Sequence, residues 1–154
     1  MIKFKGKIHP LAKAGDTGYD IEAAETVNVA AGETVTIPTG LRLQPSERLL
    51  SGLLSMGFML DTQIRPRSSV SKSGLLVYIG TIDAGYTGEI KVIVTNTGGG
   101  NVVISKGDRI AQIVFGIAVS LSDKDFVEVS ELDATERSNN GFGSSGGFAT
   151  TYPF

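Results

Sequence analysis

Asp83 and Tyr86 stand three residues apart in GTIDAGYTGEIKVIVTN, the stretch from Gly80 to Asn96, with glycines on both sides and an apolar run behind them. Asp and Gly favour tight turns, and the Val/Ile run that follows favours a strand, so the segment reads as a hairpin. A carboxylate and a phenol displayed on such a turn suit the binding of a small polar molecule. The same residues also suit an ordinary hairpin, and the rest of the chain has to decide between the two. The chain has no cysteine and a single histidine. Thiolate nucleophiles and disulfides are therefore excluded, and a zinc site would need that histidine together with carboxylates. Chemistry here must rest on carboxylates, hydroxyls and cations.

The elements that position those groups are short. With 154 residues the chain fits one domain. Glycine, at 20 residues, is about twice as frequent as in an average domain. Thr, Val and Ile recur in short runs between glycines and polar turns, which is an all-β pattern. Strands are predicted at Ile2 to Lys7, Thr26 to Val29, Glu33 to Pro38, Leu41 to Gln44 and Met59 to Arg65. Further strands are predicted at Leu75 to Ile79, Glu89 to Thr95, Val102 to Ser105, Ile110 to Ala118 and Phe126 to Ser130. So many short strands imply a jelly roll or compact barrel.

Ser46 to Met56 breaks the pattern: Ser46 can cap a short helix whose Leu49, Leu50, Leu53 and Leu54 cluster on one side. That apolar face serves either as a local lid on the core or as a surface for an extra protein partner. From Arg137 the chain reads RSNNGFGSSGGFATTYPF, too rich in Gly, Ser and Asn to build a core. The division is thus a core over 1–136 and a flexible arm over 137–154. A formal net charge of −2 without long basic runs argues against nucleic-acid binding while leaving a small anionic ligand open. The N-terminus MIKFKGKIHP is not an apolar signal, and no run approaches a membrane span, so a cytoplasmic location is expected.

Five segments then fall into one order: AGDTGYDIEA (Ala14 to Ala23), RPRSSVSKSG (Arg65 to Gly74), GTIDAGYTGE (Gly80 to Glu89), KGDRIAQIVF (Lys106 to Phe115) and RSNNGFGSSG (Arg137 to Gly146). Each alone is a common loop or turn, but together they make the chain resemble the homotrimeric dUTPases, deoxyuridine triphosphate nucleotidohydrolases. The resemblance implies a jelly-roll-like β-clip fold and hydrolysis of dUTP to dUMP and pyrophosphate by water attack on the α-phosphorus. That activity limits uracil in DNA and supplies dUMP. Asp83 is implied as the general base that orients the water. Gly80, Ile82, Ile90 and Lys91 are implied in uracil recognition, largely through main-chain groups, and Tyr86 is implied to lie against the deoxyribose and exclude a 2′-hydroxyl.

Arg67, Ser68, Ser69 and Gln112 are implied in holding phosphates, and Mg2+ is implied as cofactor, with Asp20 meeting it through water. Asp16, in the turn-like GDTG, is read as structural. The fifth segment is implied to close over the site, with Arg137 on the γ-phosphate, Phe142 on the uracil, and Gly143, Ser144 and Ser145 beside the phosphates. Asp108 is implied to position Arg137. Each site would draw on three chains of a homotrimer, the first, second and fourth segments coming from one chain, the third from another and the fifth from the last.

Two departures from the family pattern stand out: Thr87, where arginine is common, and Asn139 and Asn140, where glycine is usual. His9 is read as a surface residue outside the chemistry. Two other functions fit parts of the pattern. A non-zinc dCTP deaminase shares a related β fold, and a regulatory β module could bind the nucleotide without turnover.

Overall fold

The computed structural model describes residues 1–136, and the Arg137 to Ser145 assignments lie outside them. The chain divides into two compact units, Met1–Leu121 and Ser122–Phe154. In the first unit the strands are β1 (Ile2–Lys5), β2 (Gly18–Glu22), β3 (Val27–Val29), β4 (Thr34–Pro38), β5 (Arg42–Pro45) and β6 (Phe58–Pro66). They continue with β7 (Leu75–Val77), β8 (Gly80–Ile82), β9 (Lys91–Asn96), β10 (Val102–Ile104) and β11 (Arg109–Val119). Two helices interrupt them, α1 (Glu47–Ser55) and α2 (Ser68–Lys72). The all-β expectation is met.

The strands make small antiparallel sheets ordered β2-β11-β6-β8, β4-β9-β7, β1-β5 and β10-β3. Their inward faces meet in one core. Val92, Val94 and Asn96 alternate inward from β9, as a strand with one buried face requires. Ile21, Ile37, Ile64 and Ile113 arrive from four other strands. Each such side chain, fully buried, contributes about 1.5–3 kcal/mol. Among the described residues the one fully buried side-chain amide is Asn96, and its polar atoms are bonded: Nδ2 donates to the carbonyls of Val29 and Gly100 at 3.0 and 2.7 Å, and Oδ1 accepts from the Gly98 N–H at 2.9 Å. No polar group is left to oppose burial there.

β11 is the strand that matters for function, because it pairs with both β2 and β6. Its register against β2 shifts between Arg109 and Ala111. In a regular strand Arg109 and Gln112, three apart, would face opposite sides, whereas a bulge re-aims the chain by one residue. Both side chains reach the same cavity.

α1 begins as predicted. The Ser46 hydroxyl accepts from the Leu49 N–H at 3.3 Å, and the helix runs to Ser55. It packs on β6, with Leu49, Leu50 and Leu53 half-buried and Leu54 exposed. Leu50 and Leu54 join Phe58, Leu60 and Ile82 around an apolar cavity of about 350 Å³. The lid description therefore fits the inner leucines.

Four elements differ from expectation. Gly18–Glu22 and Gly80–Ile82 are strands that were not predicted; each is short and draws its pairing from a distant strand, β11 and β6 respectively. Ser68–Lys72 is a helical turn in a run of weak helix formers, closed by the Arg67 carbonyl, which accepts from the Val70 and Ser71 N–H groups at 3.0 Å each. Phe126 to Ser130 in the second unit was predicted as a strand and is not one. A strand needs a neighbour for its backbone groups, and none of the described residues pairs with this segment.

Candidate active site

Three of the ordered segments converge on one polar cavity of about 480 Å³. Asp16 and Asp20 come from the first, Arg67, Ser68 and Ser69 from the second, and Arg109 and Gln112 from the fourth. Asp20 and Gln112 are directly opposite in the β2–β11 ladder, which fixes their spacing through backbone pairing.

Arg67 is held from two sides. Its Nε meets Asp20 Oδ1 at 2.7 Å, and its Nη1 donates to the Arg109 carbonyl at 2.9 Å. The second Asp20 oxygen takes Arg109 Nη1 at 3.3 Å. One carboxylate thus aligns two guanidiniums along the cavity, a planar donor array suited to phosphate oxygens. Arg109 had no assigned role in the sequence reading. The bulge that turns it toward Gln112 is a tertiary feature, and period-two spacing points the other way.

Gln112 is half-buried and not an outward-facing strand residue. Its Nε2 donates to the Pro66 carbonyl at 2.9 Å, which leaves the second amide hydrogen for a ligand. Gly18 makes this possible, because a Cβ there would collide with Gln112 Oε1. At the start of α2 the Ser68 and Ser69 N–H groups lie in the first helical turn, where no intrahelical acceptor exists. Asp16 closes its own turn, its Oδ2 accepting from the Lys13 N–H at 2.9 Å, as its structural reading required.

The third segment forms a separate surface. Gly80 and Ile82 pair with Ile64 and Thr62 on the sheet edge. The Tyr86 N–H donates to the Asp83 carbonyl at 2.9 Å, which makes the turn, and Tyr86 Oη donates to the Glu89 carbonyl at 2.9 Å. The Tyr86 ring is 46% exposed, so it is no core residue, and Gly88 leaves it room where a Cβ would strike the ring. Asp83 is exposed, and its carboxylate has no hydrogen bond or ion pair among the described residues. It lies at the margin of the apolar cavity beside α1 and shares no lining with the polar cavity.

Three further residues take their surroundings from the fold. The Ile90 side chain is buried in the core; its N–H donates to the Leu41 carbonyl and its own carbonyl accepts the Thr39 hydroxyl, so it supports the hairpin from below. Lys91 is exposed on β9 opposite Pro38, next to the hairpin and, like the hairpin residues, outside the lining of the polar cavity. His9 is not a loose surface residue. Its N–H donates to the Asp20 carbonyl at 3.1 Å and its Nε2 lies 2.8 Å from Glu22 Oε2. Hydrogen bonds from Lys7 and His9 hold the Glu22 carboxyl below its ordinary range against the opposing effect of desolvation, so His9 buttresses β2 from behind the cavity. Asp108 caps the turn before β11 by accepting from the Ser105 N–H at 2.8 Å, while its expected partner Arg137 is outside the described residues.

Comparison with known proteins gives the chain's family. The dUTPase family model matches residues 5–146. The deoxyuridine 5′-triphosphate nucleotidohydrolase of Rickettsia bellii is 40% identical over 148 residues, covering 93% of this chain and 89% of that protein. The Gloeobacter violaceus protein of the same name is 41% identical over 140 residues, covering 88% and 86%. Among solved structures, a single-substitution mutant of the Staphylococcus bacteriophage 80alpha dUTPase with dUpNHpp superposes with a TM-score of 0.76 at 26% identity, covering 95% of this chain and 98% of that one. The dUTPase of Staphylococcus aureus phage phi11, described with a coordinated structural Mg(II) ion, has a TM-score of 0.68 at 22% identity and covers 87% and 99%.

Proposed function

The chain belongs to the dUTPase family, and from that premise we propose how its own residues divide the work of hydrolysing dUTP to dUMP and pyrophosphate. The observation that carries the division is the convergence of Asp20, Arg67, Ser68, Arg109 and Gln112 on one polar cavity, with Asp83 and Tyr86 outside it. The cavity takes the triphosphate. Its two guanidiniums, the hydroxyls of Ser68 and Ser69 and the spare Gln112 N–H offset charge that moves onto the departing pyrophosphate.

Asp83 accepts a proton from the water that attacks the α-phosphorus, and its unpartnered carboxylate is open to do so. Tyr86 covers the sugar. Uracil is read by main-chain groups of the hairpin, where cytosine would leave donors and acceptors unpaired at about 1–3 kcal/mol each. That hairpin and cavity share no lining residue supports a site completed by more than one copy. The assembly we propose is a homotrimer in which the fifth segment of a further copy, with Arg137 and Phe142, closes the site. The cytoplasm, where free nucleotides are hydrolysed, is the proposed location.

Magnesium fits as an ion carried mainly by phosphate oxygens and its own waters. Among the described residues no group of three or more His, Cys, Asp or Glu could hold a metal, and both Asp20 oxygens face guanidiniums. Asp20 is the carboxylate that would accept from those waters. When bound, the ion would neutralise phosphate charge and ease the departure of pyrophosphate.

The test is pyrophosphate release from dUTP, dTTP, dCTP and UTP, with magnesium present and then chelated. Release from dUTP alone, lost on chelation, is expected. Ammonia from dCTP would move the chain to the deaminase reading, and dUTP binding without release would move it to the regulatory one. A subtler probe is Gly18→Ala. The atoms its Cβ would meet are the amide end of the Gln112 side chain, which must swing away from the Pro66 carbonyl, so thermal stability should fall by only about 1 kcal/mol. KM for dUTP should rise about tenfold, the worth of one hydrogen bond to a charged group. An unaltered KM would remove Gln112 from the phosphate site.

A further inference from the structure

Beside Thr87 of the Tyr86 hairpin, β1 and β5 pair so that Lys5 faces Arg42 directly and Lys3 faces Gln44. Lys3 and Lys5, two apart on one strand, share a face with Arg42 and Gln44. Like charges directly opposite on a two-stranded sheet are destabilising. Neutralising carboxylates would normally be recruited, yet none of these three cations is in an ion pair among the described residues. A chain with a net charge of −2 has placed three uncompensated cations around one groove of about 400 Å³.

The groove is continuous with the hairpin that carries the proposed base. Thr87 lines it, and Arg42 Nη1 donates to the Thr87 carbonyl at 3.5 Å, a long contact that occupies little of the guanidinium. Four of its five N–H donors have no partner among the described residues. Gln44 adds an amide at the other end of the lining.

We propose that this groove is a second anion site, which binds a small ligand bearing phosphate groups through Lys3, Lys5 and Arg42. It is distinct from the polar cavity, with which it shares no lining residue. Point charges on two flexible lysines and one planar fork suit tetrahedral phosphate oxygens at variable spacing better than a single carboxylate. Thr87, which lines the groove, also places it beside the turn that carries Tyr86.

The full-length protein, labelled with ¹⁵N, is titrated separately with inorganic phosphate, pyrophosphate and dUMP, each against sodium chloride at matched ionic strength. Saturable shifts are expected at the amides of Lys3, Lys5, Arg42 and Thr87, with pyrophosphate binding more tightly than phosphate. The dUMP arm tells whether a nucleotide or a free phosphate species is the better ligand. The Lys3→Ala/Lys5→Ala double variant should weaken that binding, read at Arg42 and Thr87, by about tenfold or more. Shifts no larger than the chloride control, or an affinity unchanged in the double variant, would overturn the proposal. So would burial of the groove by a second copy, seen as loss of lysine reactivity in the assembled protein. Amides of Ser68, Ser69 and Gln112 report the polar cavity in the same titration, so failure at one site is separable from failure at the other.

Discussion

Asp83→Asn is expected to lower dUTP turnover by about 10²–10⁴-fold, the usual worth of a positioned general base, with nucleotide affinity nearly unchanged. Asparagine is isosteric, favours turns and leaves intact the bond from the Tyr86 N–H to the residue 83 carbonyl. The carboxylate has no partner among the described residues, so its replacement strands no buried donor. Thermal stability should therefore stay within about 0.5 kcal/mol of the parent, as for exposed positions in general. Single-turnover hydrolysis and equilibrium binding of a non-hydrolysable dUTP analogue separate the two effects. Turnover equal to the parent's would remove Asp83 from the mechanism, while loss of binding with retained turnover per bound nucleotide would make it a sugar contact only.

The ease with which Asp83 was found in the sequence has a physical origin. A turn is local: Asp, Gly and a following β-branched run specify it within a few residues, so the hairpin and its exposed side chains can be read directly. The cap of α1 was legible for the same reason, since Ser46 and Leu49 are neighbours on the chain. Alternation likewise marked β9 and β6, whose buried faces repeat every second residue.

Features made by distant pairing were harder to see. β2 starts where a GDTG turn signal ends, and its strand character comes from β11, about ninety positions further along in the ladder. Arg109 was overlooked because its partnership with Gln112 depends on a bulge, and a bulge leaves no mark in hydrophobic period. Ile90 directly follows the third segment, and its alternation with Val92 and Val94 marks its side chain as core. Phe126 to Ser130 shows the reverse error: it has the composition of a strand but, among the described residues, no edge to join.

Arg67→Ala is the second large effect, and its size depends on a geometry that no local reading supplied. The substitution removes a guanidinium anchored by Asp20 at 2.7 Å and by the Arg109 carbonyl at 2.9 Å. kcat/KM for dUTP should fall about 10²–10³-fold, comparable with loss of one preorganised donor to developing charge. Stability should change by no more than about 1 kcal/mol, because both partners of the ion pair are partly open to water. Arg67→Lys keeps the charge and loses the fork, and should recover only part of the activity. A double-mutant cycle with Asp20→Ala then asks what Asp20 is for. If Asp20 acts chiefly by aligning Arg67, the double variant should be no worse than Arg67→Ala alone, because the aligned group is already gone. If the two losses multiply, Asp20 acts on the nucleotide or its metal independently of Arg67, and the carboxylate has a task that its ion pairs do not account for.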